Sequence, residues 1–161
     1  MKTINIFIAS SAELKRERMV CVDLLLDLNQ EPENKARDVK YEPVLWEYMD
    51  ASMTAQRKED EYLDELRQCE TCIVLFWKTL GEYTVEELDV AVAEKQAGRK
   101  PNQVYVLFKE PAEDMTDELR DFKNHFAENY PGISEYSYST IKELRTKIEE
   151  VAKLSIYREY C

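Results

Sequence analysis

An unbroken apolar run, Cys72 to Trp77, passes through a short polar turn containing Gly81 into an amphipathic stretch that opens at Thr84. A strand that is apolar at every position is buried on both faces, the condition met in parallel sheets covered by helices. Val85, Leu88 and Val92 recur at three- and four-residue spacing, so the helix after the turn packs one stripe back onto that sheet. The turn and the first helical residues then sit at the carboxyl end of a central strand, where open α/β sheets hold their ligands. Glu86 and Glu87 fall in that first turn and are the first candidates for chemistry.

The remaining segments extend the same alternation. Ile4 to Ala9 reads as a first strand, ending at Ser10-Ser11. Ser10 with Glu13 fits a capping box for a helix running to about Leu28. Gln30 to Asp38, polar and interrupted by Pro32, reads as a loop. Tyr41 to Trp46 reads as a second strand, and its Pro43 favours an edge position. Glu47 to Thr54 reads as an irregular loop and about Ala55 to Gln68 as a charged helix. Beyond the central unit, Gly98 to Pro101 is a stop signal and Val104 to Phe108 a fourth strand. One helix is expected from Asp114 to about Asn129, a weak fifth strand over Ile133 to Tyr138, and a last helix from Thr140 to about Ile156. Strands alternating with helices predict a parallel sheet of about five strands flanked by helices.

Composition narrows the function classes. At 161 residues the chain is one domain in size, read over 1–161 as either a whole protein or the N-terminal domain of a longer one. Only 3 glycines leave little material for a glycine-rich phosphate loop, and a net charge of -11 argues against nucleic acid or an anionic membrane as partner. The absence of a leader-like segment and the 4 cysteines imply reduced thiols in a cytoplasm. Cys69 and Cys72 form a lone CxxC far in sequence from the single histidine, His125, so no metal site is expected and the thiols read as buried small residues. His125, with no nucleophile in a recognisable motif, is given no catalytic role.

Three constellations carry two readings each. Ser10 and Ser11, with Arg16 or Arg18, suit an anion held at a helix start, but the favoured reading is a capping Ser10 and two solvated arginines. Thr84 to Glu87 matches a capping box in which Glu87 reaches back to the Thr84 N–H. The alternative points the Glu87 carboxylate into the crevice, where it would hold a ribose hydroxyl and stabilise positive charge on an anomeric carbon. In the first turn of a helix it would stay ionised. Trp46, Trp77 and Tyr83 would stack on a heterocycle or fill the ends of the core.

The segments FIASSAELKRER, CETCIVLFWKTLGEYTVEELDVAVA and RKPNQVYVLF together resemble the TIR (Toll/interleukin-1 receptor-like) domains of bacterial immune proteins, over about residues 3 to 110. The resemblance implies a flavodoxin-like α/β three-layer sandwich. It also implies cleavage of NAD, as substrate, at the nicotinamide–ribose bond, giving nicotinamide and ADP-ribose or a cyclic form. No cofactor or metal would be needed; self-association through TIR contacts and a role in anti-phage defence would be expected. By that resemblance Glu87 is the catalytic glutamate, with Glu86 in reserve. Ser10 and Ser11 form the ligand-facing loop, Trp46 to Thr54 the mobile loop after the second strand, and Tyr83 the aromatic residue ahead of the glutamate. Where such domains carry a Trp-Cys pair, this chain has Tyr83-Thr84. Two other functions stay open: a non-catalytic self-associating or nucleotide-sensing module, and a nucleoside N-glycoside enzyme of the deoxyribosyltransferase type.

Overall fold

The computed structural model describes residues 1–45 and 55–160, apart from the side chains of 55–59, 82 and 160. Five strands, β1 (Lys2–Ser10), β2 (Val39–Val44), β3 (Thr71–Phe76), β4 (Gln103–Lys109) and β5 (Ser134–Tyr138), form one parallel sheet in the order β2-β1-β3-β4-β5. The weak fifth strand is therefore real, and it is an edge. So is β2, where Pro43 is tolerated.

Side chains alternate across this sheet with period two and build two cores. On one face, Ile4, Ile6, Ile8, Ile73, Leu75 and Leu107 meet α1 (Lys15–Leu28) and α7 (Ile141–Tyr160), through Leu25, Leu144 and Ile148 among others. On the other, Phe7, Val74, Phe76, Val106 and Phe108 meet α3 (Ala55–Leu66), α4 (Glu82–Gln96) and α5 (Asp117–Asn124). β3 is buried at every position, as a central strand covered on both sides must be. The result is a flavodoxin-like three-layer sandwich. Each fully buried Ile, Leu or Phe contributes roughly 1.5–3 kcal/mol, so the paired cores dominate its stability.

Four local expectations are corrected. The Gln30–Asp38 loop contains a short helix, α2 (Pro32–Ala36), started by proline at its first position; the Asn34 amide donates to the Leu28 carbonyl at 2.7 Å. The helix expected from Asp114 to Asn129 starts later and is divided. Thr116 caps α5 by accepting from the Leu119 N–H at 3.2 Å, and His125 leaves helical geometry before α6 (Phe126–Asn129). The break lets Phe126 reach both Phe108 and Phe122 at 5.8 Å. α7 continues past Ile156 to Tyr160. The fourth correction, at the starts of α1 and α4, bears on the site.

Cys21, Cys69 and Cys72 are free thiols inside the cores. Burial pushes the Cys21 thiol up to about 12 and raises Cys69 and Cys72 as well. Iodoacetamide at about pH 8 is expected to leave all three unmodified in the native chain and to label them after unfolding in urea. Peptide mass spectrometry reads this cysteine by cysteine.

Candidate functional site

The chain leaves β1 toward β2 on one side and leaves β3 toward β4 on the other, so the loops at their shared carboxyl ends diverge. This is the topological switch point at which open α/β sheets form a crevice. Ser10 ends β1 in register with Leu75 of β3. The structure thus brings the Ser10-Ser11 loop beside the turn that precedes α4, from segments about 65 residues apart.

Ser10 does not cap a helix. Ser11 precedes a 3-10 turn (Ala12–Leu14) without a side-chain cap, and α1 begins only at Lys15. Arg18 folds back instead, its Nη1 donating to Ser10 Oγ at 2.5 Å and to the Ser11 carbonyl at 2.8 Å. At 7% exposure it is no solvated surface arginine, whereas Arg16 is exposed. Glu13, expected to close a capping box with Ser10, crosses to the other loop. Its Oε1 accepts from Ser11 Oγ at 3.1 Å, from the Lys78 N–H at 2.9 Å and from the Thr79 N–H at 3.1 Å.

The start of α4 is also earlier than expected. Gly81 is its N-cap residue and Glu82 its first helical residue, so Thr84 lies inside the helix and the Thr84–Glu87 capping box is not formed. A Cβ at Gly81 would stand 2.7 Å from Thr84 Oγ1 and 3.3 Å from Ser11 Cβ. Glycine is therefore required for close approach, its φ of -64° being open to any residue. Gly81→Ala is expected to cost about 1–3 kcal/mol, most of it recovered in Gly81→Ala/Thr84→Ala, as read by urea denaturation.

With this start, Thr84, Glu87, Leu88 and Ala91 form the buried, sheet-facing stripe of α4. Glu87 is 4% exposed and its charge raises the thiol of Cys72 on β3, after the larger effect of burial. It stands in the second turn of α4, not in the first turn that the sequence implied. Glu86 faces outward and is exposed, and Tyr83 is 37% exposed on the first turn. The structure therefore separates the two glutamates: one enters the fold, the other faces solvent. Trp46 and the Trp46–Thr54 loop lie outside the described residues.

Trp77, half-buried at the mouth of the same end, packs against the margin of the α1–α7 core, one of the two places the sequence allowed it. Its Nε1–H donates to the Pro111 carbonyl at 2.8 Å, and the ammonium groups of Lys78 and Lys109 stand 4.2 and 3.9 Å from its ring centre. Lys109 also pairs with the buried Glu17 at 2.8 Å. A surface cavity of about 370 Å³ lies elsewhere, between α5 and the β4–β5 edge, lined by Phe108, Lys123, Asn124 and Glu135 to Ser137. None of the candidate site residues lines it.

The sequence named Ser10, Ser11 and Glu87 as candidates and Arg18 as a solvated arginine or an anion contact; the inward fold of Arg18, the close approach at Gly81 and the bridging role of Glu13 were not anticipated. The signal for Gly81 was its place in the short polar turn between the apolar run and the helix.

No protein-family model and no curated protein matches the sequence. Among solved structures, the chain is similar to the SEFIR (TIR-like) domain of interleukin-17 receptor B, with TM-score 0.50 and 14% identity over 96% of this chain and 98% of that one. It is also similar to rubredoxin oxygen:oxidoreductase from the anaerobe Desulfovibrio gigas, with TM-score 0.53 and 9% identity over 100% of this chain. The chain spans 38% of that oxidoreductase. These likenesses are of fold alone.

Proposed function

We propose that the chain is a TIR-type enzyme of the bacterial immune kind that cleaves the nicotinamide–ribose bond of NAD, with Glu87 as the catalytic carboxylate. The observation that carries this reading is the burial of Glu87 on the sheet-facing stripe of α4, beside the β1–β3 switch point. A leucine there would pack without the several kcal/mol that burying an ionised carboxylate costs unless offset, so the position is one where charge matters. As the glycosidic bond lengthens, positive charge grows on the anomeric carbon, and a carboxylate in a water-poor site stabilises it more strongly than in bulk solvent. Ser10 and Ser11 would hold a ribose or phosphate oxygen, and Tyr83 and Trp46 would flank the bases. Water or an adenine nitrogen would accept the ADP-ribose, and no metal enters the step. Cytoplasmic location and self-association belong to the same proposal.

The test is nicotinamide release from NAD at high protein concentration, with and without a crowding agent. Release by the native chain supports the reading. Silence in both conditions would overturn it and favour the non-catalytic self-associating module; release of base from free nucleosides alone would favour the deoxyribosyltransferase type.

A further inference from the structure

Two loops that share no backbone ladder flank the switch point: residues 11–14 after β1 and 77–81 after β3. One carboxylate oxygen joins them. Glu13 Oε1 receives a hydroxyl from its own loop and two consecutive backbone N–H groups, of Lys78 and Thr79, from the other. Consecutive N–H groups aimed at one oxygen form a small anion-binding concavity, here filled by the protein's own carboxylate. Hydrogen bonds to a charged acceptor are about twice as strong as neutral ones, and three of them converge on this oxygen. This tie acts two residues ahead of Gly81, whose contact with Ser11 and Thr84 leaves no room for a methyl group. The path from Glu13 through Lys78-Thr79 and Gly81 into the first turn of α4 is short and continuous, and it ends on the helix that carries Glu87.

We infer that Glu13 is a positioning residue. It sets the distance between the Ser11 loop and the start of α4, and so places Ser11 and Glu87 relative to one another. The inference about activity rests on the NAD-cleavage reading; the inference about geometry does not. Glu13 touches no substrate in this scheme, and acts through the loop it holds.

The experiment compares Glu13→Ala and Glu13→Gln by amide hydrogen exchange and by steady-state kinetics. In Glu13→Ala the Lys78 and Thr79 amides lose their acceptor, and exchange there and in the first turn of α4 is expected to quicken by about tenfold or more while the strands of the sheet are unchanged. The amide oxygen of Glu13→Gln still accepts both N–H groups, so protection should largely return. Nicotinamide release should fall in kcat in Glu13→Ala, with a smaller change in KM, and be substantially rescued by Gln. Unchanged exchange at Lys78 and Thr79 in Glu13→Ala would overturn the tie. Faster exchange there with the first turn of α4 still native-like, or with kcat unchanged, would overturn the positioning role. Were the native chain silent toward NAD, the reading of the preceding section would fall, and exchange in the first turn of α4 would decide the role of Glu13 unaided.

Discussion

Glu87→Gln is expected to lower nicotinamide release by about 10²–10³-fold, the loss that accompanies removal of one preorganised charge-stabilising group. The amide has the shape of the carboxylate and can still meet a ribose hydroxyl, so substrate binding should change little and kcat should carry the effect. Glu86→Gln is the matched control: the neighbouring residue is exposed and outside the stripe, and its rate should stay within about twofold, as for surface changes away from the chemistry. Rates are compared on chains whose circular dichroism and melting temperature show a native fold. Equal loss in both variants, or loss in Glu86→Gln alone, would remove Glu87 from the catalytic position.

Lys109→Met is expected to destabilise the fold by about 3 kcal/mol, a large fraction of the 5–15 kcal/mol typical of a domain. Glu17, buried in the first turn of α1, would be left with its charge and without the ammonium 2.8 Å away. The methionine would still cover the Trp77 ring, so the loss reports the stranded carboxylate more than lost packing. Glu17→Leu/Lys109→Met should recover most of the stability, because removing both charges also removes the desolvation they impose. Urea midpoints of the two single variants and the double variant form the cycle that measures this. A double variant no more stable than Lys109→Met would show the effect to be one of shape.

Much of the scaffold was legible because it follows from period and length. The continuous apolar run at Cys72–Phe76 is the strand covered on both faces that it predicted, and the alternation of strands with helices matches the elements found. Glu87 was legible as a candidate because it follows that strand closely. The capping boxes at Ser10–Glu13 and Thr84–Glu87 were misleading for a common reason. Such a motif is written in local sequence, but it forms only where no distant donor or packing contact competes for the same groups. Glu13 found three donors, two of them from the loop after β3, and Thr84 was drawn inside the helix against Gly81. Arg18, on α1, turns inward to donate to the Ser10 hydroxyl and the Ser11 carbonyl.

The sequence by itself determined the layers of this protein: which segments are strands, which faces of the helices are apolar, and that a parallel sheet lies between them. Those are properties of hydrophobic periodicity, and every residue in a segment contributes to them. Only the tertiary structure decided the strand order, the diverging loops at β1 and β3, and which of two adjacent glutamates turns into the fold. The choice between the glutamates depends on how α4 is seated on the sheet from its start at Glu82, since successive residues of a helix point about 100° apart. A close approach at Gly81 and a carboxylate bridge across 65 residues determined that start.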